Sequence, residues 1–293
     1  MSRLNKKIKI NANVNNCELS KPARVTGTTF LTILTILFLF PIAIVLLNSV
    51  KGKFYIASTP FALPTGEIFV GITNYVEGFR KTGLLQATGW SFFITIFSVL
   101  CIVLLTSMTA WYITRVKSKL TTNLYYMFVF SMIVPFQMVM FTMSKITNML
   151  HLDNPIGIIL IYVGFGSGLS VFTFAGFIKS IPIAMEEAAM MDGCSPIQTF
   201  FYVVFPILRP TAITVAILNT MWVWNDYLLP SLVLSNKYST IPMAVQSLKG
   251  SYGSIDMGAM MAMLVVAIVP IVIFYLTCQK YIIKGIASGA VKG

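Results

Sequence analysis

The chain has 293 residues, of which 57% are hydrophobic and only 10% charged, and its mean hydropathy is +0.83. A water-soluble domain of that length carries about a quarter charged residues, so the composition excludes a soluble globule and leaves most of the surface to lipid. A formal charge of +12 would point to nucleic acid in a soluble chain; in one this apolar it reports orientation in a bilayer, and no nucleic-acid partner is expected.

A basic segment, residues 1–27, leads into a first apolar run over 28–50. The run is longer than the roughly 7 to 15 residues of a signal-peptide core and no A-x-A site follows, so it reads as a retained anchor. Residues 51–87 form an extracytoplasmic loop, and further spans are predicted over 88–114, 120–144 and 155–178. Each exceeds the requirement of about 20 residues, at about 1.5 Å per residue, for crossing a hydrocarbon core. A fifth span over 211–235, interrupted only by Asp226, and a sixth over 257–279 flank a second extracytoplasmic loop, 236–256; a tail over 280–293 follows. With six spans, 14 of the 21 lysines and arginines fall on one side, which places both termini in the cytoplasm. The fold class is thus an all-α integral membrane protein with six transmembrane helices. Pro41 and Pro135 lie within spans, and Gly157, Gly164, Gly166, Gly168 and Gly176 crowd the fourth. Two readings stand for them, close helix packing and a kink or hinge along a pathway.

The cytoplasmic segment 179–210 is too long for a turn between spans. Helix propensity predicts a helix over Met185–Met191, Asp192 and Gly193 stop it, and Ser195 caps a second amphipathic helix running towards Pro206. Ala188 and Ala189 give that first helix a flush surface beside the acids Glu186 and Glu187. A helix meant for anionic lipid would carry Lys or Arg there, so a protein partner is favoured.

The stretch Glu187-Ala188-Ala189, then Gly193, then Val203-Val204-Phe205-Pro206 resembles the loop signature of permease subunits of ATP-binding-cassette importers, with valine and phenylalanine in place of isoleucine and leucine. Met221–Pro230 and the tail Gly285–Gly293 resemble the second permease of carbohydrate importers of the maltose type. The resemblance implies a type I importer permease fold, a paralogous six-helix permease as heterodimer partner, a cytoplasmic ATP-binding-cassette ATPase dimer, an extracytoplasmic solute-binding protein and a sugar substrate, with the chain in the lipid bilayer of the bacterial plasma membrane. It assigns Glu186, Glu187, Ala188, Ala189, Asp192, Gly193 and Pro206 to ATPase coupling, and Gly289, Ala290, Val291 and Lys292 to a tail that touches the ATPase. ATP and Mg would then bind partner subunits, with no cofactor on this chain.

No catalytic or metal-binding set is expected. Four scattered cysteines lack a Cys-x-x-Cys or Cys/His pairing, the spans hold one acid, Asp226, and the lone His151 sits in a connection. That set is too poor for a proton relay or a membrane enzyme, and no GxxxxGK[ST] occurs. A stand-alone secondary transporter of a small polar solute would show inverted repeats, and none is evident between the two halves. Trp222, Trp224, Asn225, Asp226 and Tyr227 are candidates for a substrate pathway, where rings stack on sugars and polar groups bond hydroxyls; interfacial anchoring explains the aromatics equally well. Asp226 is expected in the outer part of the membrane, either as a structural contact or beside the pathway.

Overall fold

In the computed structural model the described residues are 21–249 and 255–290, and they are organised as helices. In chain order these are α1 (Lys21–Ser49), α2 (Lys53–Ser58), α3 (Thr73–Thr82), α4 (Leu84–Arg115), α5 (Lys119–Ser131), α6 (Phe136–Met149), α7 (Pro155–Ile178), α8 (Ala184–Met191), α9 (Pro196–Thr199), α10 (Phe205–Asn225), α11 (Leu228–Val233), α12 (Ile241–Gln246) and α13 (Met257–Ala290). A π-helical turn over Phe200–Val204 joins α9 to α10 without a break. Five helices are long and apolar enough to cross a membrane, and six spans result if the bent pair α5 and α6 counts as one.

Several boundaries differ from the sequence reading: α1 starts at Lys21 rather than 28 and α4 at Leu84 rather than 88, and the two largest differences come from proline chemistry and a polar cap. The stretch 120–144 is not one helix: α5 and α6 meet at 105°. Pro135 lacks a donor and disfavours the helical region for the residue before it, so α5 ends at Ser131 and α6 restarts after Pro135. The span predicted over 211–235 instead begins at Pro196 and stops at Asn225. Pro206 and Pro210 had marked a loop boundary; the π turn, where the Phe205 N–H reaches the Phe200 carbonyl, re-registers the ladder and carries the helix through them. Asp226 then leaves the helical region, so it caps a span rather than lying in one. The last helix passes 279 and runs to Ala290.

Helices α4, α7 and α10 form the centre. Ile102, Ala110, Val171, Phe174, Ile178, Phe200, Val204 and Leu208 make one continuous buried cluster towards the α8 end of the bundle. Helix α7 stays unbroken, and its glycines divide by what surrounds them. A Cβ at Gly166 would stand 2.7 Å from Ile102 and 2.9 Å from Asn219 Oδ1, one at Gly168 2.8 Å from the Phe128 carbonyl, and one at Gly157 2.0 Å from the Leu152 carbonyl, whereas Gly164 and Gly176 face open space. Close packing therefore explains Gly157, Gly166 and Gly168. Gly157→Ala is expected to destabilise the chain by about 1–3 kcal/mol or more, because the obstacle is backbone, while Gly164→Ala gains a few tenths through helix propensity. Thermal unfolding of the two variants in detergent checks this, and equal melting temperatures would refute it.

Helix α1 stands apart. None of its most apolar window is buried inside the chain, and one flank, Ile42, Val45 and Leu46, faces Val265, Val269 and Val272 of α13. Its end is knotted to the body: Asn48 donates to the Pro60 carbonyl at 3.0 Å, Ser49 shares a hydrogen bond with the Tyr75 hydroxyl at 2.8 Å, and Asn74 donates to the Ser49 and Lys51 carbonyls. The Lys51 ammonium, fully buried, is held by the Thr59 and Pro60 carbonyls at 3.0 and 3.1 Å.

Candidate functional site

Helix α8 is a separate short rod at one end of the bundle, closed by backbone chemistry that its sequence dictates. At its C-terminus Gly193 has φ +87°, a left-handed conformation few side chains adopt. The Cys194 N–H bonds the Ala189 carbonyl at 3.0 Å and the Gly193 N–H bonds Met190 at 3.1 Å, the paired bonds of a Schellman cap. Two residues later Ser195 begins α9 through a reciprocal box, in which its N–H donates to Gln198 Oε1 at 2.8 Å and its hydroxyl accepts the Gln198 N–H at 3.4 Å. The exposed face carries Glu187, Ala188 and Asp192 with the large apolar residues Ile183, Met185, Met190 and Met191, the last 87% exposed. Pro206 is also exposed, but on the far side of the π turn.

Glu186 departs from the expectation that both acids share the docking face. It is only 3% exposed: Arg115 Nε and a second guanidinium nitrogen donate to its Oε1 at 2.9 and 2.7 Å, and Trp111 Nε1 donates to Oε2 at 2.9 Å. Neighbours on a helix point about 100° apart, so Glu187 outside obliges Glu186 to turn elsewhere. Ala189 is buried with it and Ala188 is not. Sequence reasoning missed Trp111 and Arg115. Their four-residue spacing at the end of a span put an indole and a guanidinium on one face, which was the available signal.

At the opposite end the five pathway candidates separate into two groups. Trp224, Asn225 and Tyr227 line a cleft of about 270 Å³ with Ile241, Gln246 and Met260. Trp222 packs edge-on against Tyr162, their centroids 5.3 Å apart. Asp226 joins this second group: its Oδ2 accepts the hydroxyl of the fully buried Tyr162 at 3.1 Å, and its Oδ1 accepts the Leu228 and Leu229 N–H groups at 3.0 and 3.4 Å, starting α11. All those bonds hold the chain together rather than reach into the cleft. Asn219, not singled out by sequence, is buried in the centre of the bundle and donates to Ser170 Oγ at 3.2 Å. Gly289 and Ala290 form the end of α13; Val291 and Lys292 lie outside the described residues, as does Cys17.

Beside the cleft, Lys81 bridges Glu77, at 2.9 Å, and Asp256, which precedes α13. Burial pushes the Asp256 carboxyl up, but the Lys81 hydrogen bond, the Ala259 N–H and the charges of Lys81 and Lys53 outweigh it and hold the pKa below the usual carboxylate value. The bond to Asp256, and then that to Glu77, raises the Lys81 pKa. A depressed carboxyl contributes stability that is present above its unfolded value, about 3.9, and is lost as pH falls through the lower folded value. Asp256→Asn should therefore melt below the wild type at pH 6 and converge with it as pH falls from about 4. A constant gap across that window would contradict the assignment.

Residues 102–288 match the family model described as the binding-protein-dependent transport system inner membrane component. The chain is 38% identical to the probable starch degradation products transport system permease protein of Thermoanaerobacterium thermosulfurigenes, over 90% of this chain and 96% of that one. It is 34% identical to the multiple sugar-binding transport system permease protein of Streptococcus mutans, over 89% and 95%. Among solved structures it superposes on a chain of a bacterial ABC transporter involved in import of the acidic polysaccharide alginate, with a TM-score of 0.74 and 20% identity over 90% of this chain and 98% of that one. A second structure of a bacterial alginate ABC transporter, in complex with an alginate pentasaccharide-bound periplasmic protein, gives a TM-score of 0.62 at 16% identity, over 88% and 94%. Those two likenesses establish the fold.

Proposed function

The chain belongs to the family of binding-protein-dependent transport system inner membrane components, multi-pass proteins of the bacterial plasma membrane, and we propose that it is one half of the pathway of an ATP-driven sugar or oligosaccharide importer. The observation that carries this reading is α8: a short rod closed by a Schellman cap at Gly193, whose Glu187-Ala188 face stands clear of the bundle, in the loop whose sequence resembles the ATPase-docking loop of such permeases. In this reading the α8 end faces the cytoplasm, both termini lie there, and Gly289, Ala290, Val291 and Lys292 serve as ATPase contacts. ATP and Mg bind the separate ATPase dimer, and this chain supplies no catalytic group.

A heterodimer with a paralogous six-helix permease accounts for two further features. The break between α5 and α6, and the bend at Asp226 and Tyr227, put non-helical backbone at or near membrane depth, where it is tolerated only against protein or a water-filled cavity. The exposed apolar side chains of α6, Met138, Phe141 and Ile146, supply partner surface. An extracytoplasmic solute-binding protein delivers the sugar to the cleft at the opposite end, whose lining includes the aromatic residues Trp224 and Tyr227 and the amides Asn225 and Gln246, residue types that recognise sugar rings and hydroxyls.

Charge at position 187 tests the docking reading. Glu187→Lys should lose most of the ATPase in co-purification while Glu187→Gln keeps it, because reversal converts an attraction into a repulsion at a partly desolvated contact. Equal recovery of the ATPase with both variants would sink it.

A further inference from the structure

We propose that Glu186, Arg115 and Trp111 form a clasp that makes α8 and α4 move as one body, so that displacement of α8 by the ATPase reaches the far side of the membrane through α4. The proposal rests on the docking reading of α8. Along the chain α8 is joined only to α7 and α9; the clasp is what ties it to α4, whose last turn holds both donors. The same guanidinium donates to the Ile181 carbonyl at 3.0 Å, just before α8, and the Trp111 ring lies 5.5 Å from that of Phe200, just after α9. The segment before α8 and the turn after α9 are therefore held by the same end of α4.

A buried ion pair is a poor way to gain stability, since desolvation offsets most of the attraction and apolar residues of similar volume fold as well. Three directed N–H bonds onto one carboxylate do something packing cannot, because they fix orientation as well as distance. Helix α4 is suited to transmit it. It runs unbroken for 32 residues, about 48 Å. At its other end Ser91 Oγ accepts the Ile241 N–H at 2.8 Å and Phe92 packs on Trp224 with centroids 4.8 Å apart, so that both α12 and the cleft wall are attached to it. Glu186, Arg115 and Trp111 are positioning residues; none needs to touch ATP or sugar.

The test uses the complete complex in nanodiscs, with the native cysteines of this chain replaced and a bimane label on Leu85→Cys, an exposed site at the far end of α4. MgATP is expected to shift the label's emission in the otherwise wild-type complex. Glu186→Gln, which keeps size and accepting oxygen, and Arg115→Met/Glu186→Met, which keeps packing without charge, should retain ATPase assembly and ATP hydrolysis but reduce the shift roughly tenfold. A shift that survives in both variants overturns the clasp. So does loss of assembly in both, which would assign the pair to folding. An unresponsive label in the wild type overturns the role of α4 if Glu187→Lys still releases the ATPase, and the docking reading itself if it does not.

Discussion

Gly193→Val is expected to leave membrane insertion intact and lower uptake by roughly 5- to 30-fold. A Cβ at this position meets nothing within 4 Å, so the penalty is conformational and not a clash. At φ +87° an L side chain costs about 1–2 kcal/mol, more for a β-branched one, and the chain escapes by giving up the left-handed turn. That releases the bonds from Gly193 and Cys194 to Met190 and Ala189, fraying α8 at the end nearest Asp192. Gly193→Asn serves as the control, because asparagine tolerates this region better and should keep most of the activity. Normal uptake by the valine variant in the assembled complex would show that the rigidity of α8 has no part in coupling.

Asp226→Ala is expected to cost on the order of 3 kcal/mol, since it strands the buried Tyr162 hydroxyl and frees two N–H groups at the start of α11. Asp226→Asn keeps an accepting oxygen and should lose only about 1 kcal/mol. Thermal unfolding of both variants measures the difference, and near-equal melting temperatures would rule out the structural role. Uptake by the asparagine variant separates a second role: full assembly and ATP hydrolysis with reduced uptake would place Asp226 beside the sugar as well.

The parts of the molecule that sequence made legible are those governed by local chemistry. The Ser195-Pro196 start of α9 and the glycine stop of α8 each depend on residues within one turn, and each has its reason in the residues themselves. What escaped depends on neighbours distant in sequence. The inward turn of Glu186 is decided by Arg115, 71 positions away, and the role of Asp226 by Tyr162, 64 positions away. Proline misled in both directions: Pro135 breaks a stretch that reads as continuous, while Pro206 and Pro210 are carried by a π turn that has no sequence rule as firm as a cap. The aromatic pathway residues, grouped by proximity in sequence, separate because Trp222 and Trp224 stand two positions apart on one helix and so point about 200° apart, Trp222 onto Tyr162 and Trp224 into the cleft wall.

The solitary position of α1 bears on how the protein is made. Its anchoring partners, Asn74, Tyr75 and the valines of α13, all emerge from the ribosome after it. At roughly 5–20 residues per second, the wait between completion of Ser49 and the arrival of Val265 is about 10–40 s. During that interval α1 dwells in lipid with only the anchors at its Ser49 end available to hold it, and its apolar window exceeds that of every other long helix among the described residues. A segment that must survive alone has to be soluble in hydrocarbon by itself, whereas α7 and α10, which enter a bilayer already occupied by earlier helices, are free to carry Ser170 and Asn219.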